Sequence, residues 1–485
     1  MTTTTHKPAS RLTVAAFYGA LWLLFAGTWF GWGQFNPADE KRVFAPMPRR
    51  FDGHFREGFS LYLRDHFGFR GWLVTLNGFL RAHILHASTS RMVIVGRDGF
   101  LFYTGEEALE NYMGLKPMTD CELESWVQLF ERRALWLASR NIPFAVLIVP
   151  DKETVYPEKM PIARGTRKTR VDRIVSALRS RTSIPLIDLR SVLTSERKNY
   201  NTYYLTDTHW SQWGAYSAYR ELLALLNRSA PQIGPPVEPS ALSHGIVYQP
   251  GDLNLMLGMN SIALEAKDTF EPRTQTHVTS GPDDLVMTAG TSNPAQPRLL
   301  FIRDSFGAAL MPYLDRHFSR IYAPKTWTFD AADVDRERAG VVVFEIVERR
   351  FNLDPPMDPE SALMLPSEFP VNPQAWGVLD EPFKGANLSG SKVHISGWAL
   401  ALQPKSIQNI ELIIDGRQAG EMNLHLARDD VRRVQAGQRD SASPGIGMYL
   451  DTHKLSNGRH EMVLKVIDSD SKTTELARRQ FCVAN

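Results

Sequence analysis

Residues 12 to 38 contain no Asp, Glu, Lys or Arg, and this uncharged run constrains the chain more than any other feature. An apolar helix of about 20 residues spans a bilayer core, so the run predicts a membrane anchor at 12–34, after a cytoplasmic segment at 1–11. Lys7 and Arg11 precede the run, whereas the charges of residues 39–42 cancel, so the remainder is predicted outside the cytoplasm. A cleaved signal peptide is the alternative, but its apolar core usually covers only about 7–15 residues.

Composition excludes several classes of function. With 485 residues, the chain is long enough for two or three domains. Its 55 Lys and Arg nearly cancel its 53 Asp and Glu, so no basic field would hold nucleic acid. Cys121 and Cys482 lie far apart without metal-ligand spacing, which predicts no metal and no cofactor. We interpret both as unpaired buried thiols, although an oxidising compartment would permit a bridge.

Residues 40–353 show the alternation of helices and strands that is typical of an α/β fold. An uninterrupted apolar run at 144–150 indicates a strand covered on both faces, and further strands are predicted at 184–189, 298–303 and 341–346. Helical spacing of apolar residues predicts helices near 121–140, 168–181, 211–227 and 307–318. An Asp-Gly pair at Asp98-Gly99 between apolar runs indicates a hairpin before them. The pattern favours a parallel sheet that binds its ligand at the carboxyl ends of the strands.

The C-terminal part has a different pattern. Residues 354–376 are rich in proline, which predicts a linker. Strands of period two with turn residues between them follow at 377–485, and they indicate a small β-sandwich domain. Trp398 and Tyr449 there have rings that could stack on sugars, although Trp398 also fits a sandwich core.

The first candidate for chemistry is Asp207-Thr208-His209, which lies in a loop before a predicted helix. A carboxylate two residues before a histidine can accept from the imidazole Nδ1–H and leave Nε2 free as a base. The pair alone is equally typical of a helix cap with a hydrogen-bonded histidine.

The second candidate is Ser305, which lies in Arg303-Asp304-Ser305-Phe306-Gly307, where a buried strand meets a helix. Its hydroxyl would stand at the carboxyl edge of the sheet as a nucleophile, and the N–H groups of residues 305–307 would face an oxyanion. A helix-capping serine is the alternative. Together the two candidates place a nucleophile, a base and an orienting carboxylate at one edge of one sheet.

Asp207-Thr208-His209-Trp210 upstream of Asp304-Ser305-Phe306 resembles the alginate O-acetyltransferase (AlgX/AlgJ) family. Further matches are found at 65–70, 95–102, 150–152 and 156–158, so the resemblance covers about residues 50 to 350. It implies an SGNH-hydrolase-like domain in which Ser305 is the nucleophile, His209 the base and Asp207 the orienting carboxylate.

The resemblance also implies a function. A periplasmic enzyme of the bacterial inner membrane would transfer acetyl groups to hydroxyls of an exopolysaccharide, beside a membrane-embedded acyltransferase that supplies them. An acetylesterase of the same fold and a non-catalytic polysaccharide-binding or export scaffold are the alternatives. Arg303 departs from the family pattern, which has glycine there. Asn254 and Asn260 are candidate oxyanion donors.

Two other residues have competing interpretations. Lys152 would contact an anionic sugar or, as we favour, be a solvated lysine at the end of a strand. His66 is a rival base, but its amphipathic helix favours a packing role.

Overall fold

The computed structural model describes residues 11–32, 44–259, 262–272, 278–356, 358, 375–382, 386–401, 406–428, 431 and 443–485. Its helices are α1 Arg11–Phe30, α2 Phe55–His66, α3 Arg70–His83, α4 Ala108–Tyr112, α5 Asp120–Ala138, α6 Lys152–Val155, α7 Arg170–Arg181, α8 Arg190–Glu196, α9 Gln212–Leu226, α10 Asp252–Met256, α11 Met311–Leu314 and α12 Ala331–Glu337. The strands before the C-terminal domain are β1 Val93–Val95, β2 Leu101–Tyr103, β3 Phe144–Val149, β4 Leu186–Asp188, β5 Leu242–Gln249, β6 Glu265–Pro272, β7 Thr279–Ser280, β8 Val286–Ala289, β9 Arg298–Ile302, β10 Arg320–Pro324 and β11 Val341–Val347. The C-terminal strands are β12 Ala375–Glu381, β13 Asn387–Leu388, β14 Val393–Ala401, β15 Ile407–Ile414, β16 Arg417–Glu421, β17 Asn423–Leu426, β18 Gly445–Leu450, β19 Gly458–Asp468 and β20 Thr473–Val483.

The N-terminal helix α1 coincides with most of the uncharged run. Within the described residues it is the one helix that is long and apolar enough to cross a membrane. Most of its large apolar side chains are exposed, including Trp22 and Trp29. A helix of this composition that is exposed along most of its length is compatible with a single-pass anchor.

A seven-stranded sheet forms the centre of the α/β domain, in the order β4-β3-β11-β9-β10-β8-β7. The first five strands in this order, β4, β3, β11, β9 and β10, are parallel, as predicted. The last two, β8 and β7, add an antiparallel edge, so the sheet is mixed. Alternate residues of β3 enter two separate cores: Leu147 packs in the core with α9, and Val146 in the core with α5 and α7. Both faces of the sheet are therefore covered, which explains why β3 is an uninterrupted apolar run.

The region between α9 and β9, which has few sequence signals, contains a hairpin of β5 and β6. β5 is exposed along nearly its whole length, so the hairpin projects from the domain. The sequence predicts one helix near 307–318, but the structure has a 3-10 helix at Phe306–Leu310 followed by the short α11. Pro312 lies in α11, and a proline is accepted only in the first turn of an α-helix.

The C-terminal strands form two sheets that pack as a β-sandwich. One has the order β12-β14-β18-β17, and the other β13-β20-β19-β15-β16. Inward residues such as Ile395, Leu412 and Phe481 form a common core. Trp398 is buried, but it packs with Val378, Leu400 and Val431 in a cluster separate from the core between the sheets, so the sandwich-core interpretation is wrong. Tyr449 is 66% exposed. Most of the predicted linker at 354–376 lies outside the described residues, so the domain boundaries stay a prediction.

The interpretation of the cysteines as unpaired thiols is wrong. Cys121, in the first turn of α5, is bonded to Cys482 in β20, with a Cα–Cα distance of 5.7 Å. The two residues are 361 positions apart, so no spacing pattern in the sequence could have paired them. The disulfide attaches the sandwich to the helical layer of the α/β domain.

Breaking this disulfide should lower the free energy of unfolding by about 2–4 kcal/mol, because a cross-link restricts the unfolded chain. Denaturant unfolding followed by tryptophan fluorescence would compare the wild type with Cys482→Ala, each with and without dithiothreitol. The reductant should destabilise the wild type and leave the variant unchanged. A variant as stable as the oxidised wild type would show that the bond contributes nothing to stability.

Candidate active site

The site lies at the carboxyl edge of the central sheet. β3, β9 and β11 are parallel neighbours, so the residues that follow them meet at one edge. Ser305 comes three residues after β9, Asp151 two residues after β3, and Glu348 directly after β11. This is where a ligand is expected in an open α/β sheet.

The structure brings the three predicted residues together. His209 Nδ1 lies 2.7 Å from Asp207 Oδ1, and His209 Nε2 lies 2.9 Å from Ser305 Oγ. The imidazole also packs against the ring of Phe306 at a centroid distance of 4.9 Å. With Nδ1–H donating to the carboxylate, Nε2 is free to accept from the serine hydroxyl.

Lys267 is a second partner of Asp207 that the sequence did not reveal. Its ammonium lies 2.6 Å from Asp207 Oδ2, and it also lies over the ring of Tyr204. Burial alone would raise the pKa of Asp207, but the hydrogen bond and charge of His209, together with Lys267, hold it well below its usual range. Asp207 is therefore a carboxylate held between two partners, each on its own oxygen.

Two further side chains, Asp252 and Glu265, fix the loop that carries Asp207 and His209. Asp252 accepts from the backbone N–H of Thr208 at 2.7 Å and from its hydroxyl. Glu265, in β6, accepts from the N–H of Thr206 at 2.9 Å and from its hydroxyl at 2.6 Å. The loop is thus held by α10 on one side and by the projecting hairpin on the other.

Lys152 also contacts this loop, and its prediction as a solvated lysine is wrong. It is buried, and its ammonium donates to the carbonyls of Leu101 at 2.7 Å and Leu205 at 3.0 Å. Burial lowers its pKa to about 8. The side chain turns inward because those two carbonyls need a donor away from water.

Asp207, His209 and Asp252 are ligand-type residues whose atoms lie within 4.8 Å of one another. A metal ion does not fit this cluster. The ammonium of Lys267 already occupies Asp207 Oδ2, and His209 Nδ1 donates its proton to Oδ1. A cation would have to displace both.

Asp304, the residue before the serine, bonds the serine turn to the end of β11. Its Oδ1 accepts from the N–H of Phe306 at 2.8 Å, and its Oδ2 accepts from the N–H of Val347 at 2.9 Å. Its own N–H donates to Glu345 at 2.9 Å. Burial and the charge of Asp304 raise the pKa of Glu345 well above its usual range, which favours its neutral form.

Arg303, which replaces the family's glycine, is fully buried. It donates to the carbonyls of Asp304 at 2.9 Å and Asp284 at 2.8 Å. The guanidinium therefore donates its hydrogen bonds to backbone carbonyl oxygens near the serine and not to Ser305, His209 or Asp207.

The oxyanion donors differ from the sequence expectation. The N–H of Phe306 is already donated to Asp304, and the amide of Asn254 donates to the carbonyl of Ala263 at 2.9 Å. Asn254 also lines a different cavity from Ser305. Asn260 lies outside the described residues.

A cavity of about 330 Å³ opens beside Ser305, and Lys325, Trp327 and Arg349 are among its lining residues. Arg349 pairs with Asp151 at 2.6 Å and with Glu106 at 3.3 Å. Burial alone would lower the pKa of Arg349, but these two carboxylates outweigh it and raise the pKa. The wall of the cavity thus carries an ionised guanidinium that is paired with two carboxylates.

His66, the rival base, is the last residue of α2. Its Nδ1 lies 3.0 Å from the carbonyl oxygen of Tyr62, and its ring stacks on that of Tyr62 at a centroid distance of 4.2 Å. These contacts are those of a packing residue, as the sequence analysis favoured.

The fold and this edge of the sheet define an SGNH hydrolase-like domain. Residues 93–320 match the family model described as SGNH hydrolase-like domain, acetyltransferase AlgX. This part of the chain is therefore similar to the AlgX/AlgJ family of acetyltransferases.

One relative and two solved structures are also similar to part of the chain. The chain is 26% identical, over 276 residues, to a probable alginate O-acetylase AlgJ of Pseudomonas fluorescens, which covers 53% of this chain and 68% of the relative. The O-acetyltransferase domain of Pseudomonas putida AlgJ is 19% identical, covering 56% of this chain and 96% of that domain with a TM-score of 0.39. Bacillus cereus PatB1 is 13% identical, covering 54% and 96% with a TM-score of 0.41.

Replacing Lys267 by Met should move the acid side of the activity profile upward by about one pH unit. Without the ammonium on Asp207, a positive charge on the imidazole is better stabilised, and a protonated imidazole cannot accept the serine proton. The pH dependence of hydrolysis of a small acetyl ester measures the shift.

The conservative variant is Lys267→Arg, which keeps the cation and should keep the wild-type profile. If the Met and Arg variants have the same profile, the ion pair does not act on the imidazole, and Lys267 only supports the hairpin.

Proposed function

We propose that the chain is a periplasmic O-acetyltransferase that transfers acetyl groups to hydroxyls of an exopolysaccharide through a triad of Ser305, His209 and Asp207. The observation that carries this proposal is one imidazole between two partners, 2.9 Å from the serine oxygen and 2.7 Å from the carboxylate. Similarity to the family supports the reaction class, and the curated relative suggests alginate as the acceptor.

In the first half of the reaction, Ser305 Oγ attacks the carbonyl carbon of an acetyl donor. His209 Nε2 takes the serine proton as the new C–O bond forms and returns it to the leaving group as the old bond breaks. Asp207 stabilises the transient imidazolium, and Lys267 keeps that carboxylate ionised and oriented. The product is an acetyl ester on Ser305.

In the second half, a sugar hydroxyl attacks the acetyl-serine. His209 accepts the hydroxyl proton and passes it to Ser305 Oγ, which regenerates the free serine and leaves the acetyl group on the sugar. Water in place of the sugar would give an acetylesterase, because both reactions share the acetyl-serine. The cavity beside Ser305 has the room for an acceptor group.

We propose that α1 anchors the enzyme in the bacterial inner membrane and that the rest of the chain lies in the periplasm. The exposed apolar surface of α1 supports the anchor. The Cys121–Cys482 bond supports an oxidising compartment, since disulfides seldom persist in the cytosol. A membrane-embedded acyltransferase in the same membrane would supply the acetyl groups.

Replacing Ser305 by Ala should abolish the acetyl adduct and reduce turnover by several orders of magnitude. His209→Ala should be about as damaging, whereas Asp207→Asn should keep residual activity because Ser305 and His209 remain. Mass spectrometry of the protein after incubation with an acetyl ester, and of added oligosaccharide, measures both acetyl transfers.

The matched control is Ser180→Ala, which removes an exposed serine hydroxyl from α7 and should leave activity unchanged. A folded Ser305→Ala protein that still transfers acetyl would end the mechanism. A wild-type protein that takes up no acetyl from any ester would favour the non-catalytic scaffold, and acetyl released only to water would favour the esterase.

The C-terminal β-sandwich has a proposed role in holding the polymer. Tyr449 in β18 is 66% exposed, and it pairs with His394 in β14, with their ring centroids 5.2 Å apart. Exposed aromatic rings on a rigid sheet are suited to contact with sugar faces.

Tyr449→Ala should therefore raise the KM for the polymer and leave hydrolysis of a small acetyl ester unchanged. Tyr449→Phe keeps the ring and should behave as the wild type in both assays. An unchanged KM in the Ala variant would remove Tyr449 from the polymer path.

A further inference from the structure

In the helix α3, the small residues face the protein and the large apolar residues face outward. This is the reverse of an ordinary surface helix. Its buried residues are Gly71, Thr75, Gly78 and Ala82. Its large apolar residues face outward, with the exposed fractions Trp72 67%, Leu73 46%, Leu76 51%, Phe79 36% and Leu80 40%. An amphipathic helix that covers a protein core would bury the large residues.

The outward residues share one face. Residues 72, 76, 79 and 80 follow the spacing that aligns side chains along a helix. The exposed Ile84 (62%) and Leu85 (67%) come directly after α3. The basic residues of α3 are Arg70, Arg81 and His83, and the helix contains no Asp or Glu. We call the five exposed apolar residues of α3 the outer face.

The small residues seat α3 rigidly on the catalytic domain. A Cβ at Gly78 would lie 2.3 Å from the carbonyl oxygen of Leu257, so the helix backbone touches the segment after α10. Ala82 joins Leu253, Leu257 and Met259 in a small core. α3 is thus part of the domain, and its outer face is not a consequence of loose packing.

The turn before α3 is docked on the end of the apolar helix α1. The N–H of Gly68 donates to Thr28 Oγ1 at 2.8 Å, and the N–H of Phe69 donates to the carbonyl of Trp32 at 2.7 Å. A Cβ at Gly68 would lie 2.4 Å from the backbone nitrogen of Thr28, so only glycine allows this contact. α3 therefore starts at the level where α1 ends.

We infer that α3 is an interfacial helix, which lies on the outer surface of the membrane that α1 spans and inserts its outer face among the lipids. This inference rests on the proposed anchoring by α1. A large apolar face next to arginines, without acidic residues, is the composition of helices that bind in the interfacial plane. Trp72 has the side chain that prefers the boundary between hydrocarbon and headgroups.

An interfacial α3 would hold the active site at a fixed height above the bilayer. α3 rests on Leu257 and Met259, which follow α10, and Asp252 at the start of α10 holds Thr208 between Asp207 and His209. A triad fixed near the surface is close to any acetyl donor delivered through the membrane.

Nitroxide labels on the full-length protein test this inference. The single variants Leu76→Cys on the outer face, Asn77→Cys beside it and Leu21→Cys in α1 would be labelled and reconstituted in vesicles of phosphatidylethanolamine and phosphatidylglycerol. The chain's two native cysteines are bonded to each other, so they would not take the label. Electron paramagnetic resonance then compares the accessibility of each label to oxygen, which enters lipid, and to a nickel chelate, which stays in water.

We expect the label at 76 to show a several-fold higher ratio of oxygen to nickel accessibility than the label at 77, with the label at 21 deeper than both. A lipid-buried label at 21 with an aqueous label at 76 would overturn the inference and leave the anchor intact. A label at 76 accessible to neither reagent would also overturn it, because protein would then cover the face. An aqueous label at 21 would remove the anchor itself and the inference with it.

Discussion

The carboxylate of Asp304 fixes the position on which the site depends. It accepts from the backbone N–H of Phe306 after the serine and from that of Val347 at the end of β11, so the serine turn is bonded to the neighbouring strand. Two backbone donors on one buried carboxylate hold it in a single geometry. Ser305 therefore has a defined distance to His209 because the turn cannot shift along the sheet edge.

The two other residues of the proposed triad are held from outside the sheet. Asp207 and His209 lie on a loop whose fixing contacts come from Asp252 in α10 and from Glu265 and Lys267 in β6. The proposed nucleophile thus lies at the edge of the sheet, whereas the proposed base depends on the hairpin of β5 and β6. A displacement of that hairpin would move the proposed base and not the serine.

Local signals explain what the sequence predicted well. The uncharged run, the buried strands and the Asp-Ser and Asp-x-His elements are each contained in a few neighbouring residues, and they predicted α1, the central sheet and the three residues that meet at its edge. A resemblance of several short motifs then joined the two distant elements into one site.

What the sequence could not predict depends on contacts between distant segments. Lys267 lies 60 positions from Asp207, in a stretch with no motif, and the sequence does not show that Lys152 has two carbonyls around it. The antiparallel strands β7 and β8 are short, so their period-two pattern has too few residues to be recognised. Each of these features is defined by tertiary packing, which local patterns do not encode.

The bond between Cys121 and Cys482 also constrains the order of events during biogenesis. The helix that carries Cys121 leaves the ribosome long before β20 does, since 361 positions separate the two sulfurs. Oxidation of this pair therefore has to wait until all strands of the central sheet and of the sandwich have been synthesised. Until then Cys121 is a free thiol that can form mixed disulfides with other proteins, so this step of maturation depends on thiol exchange.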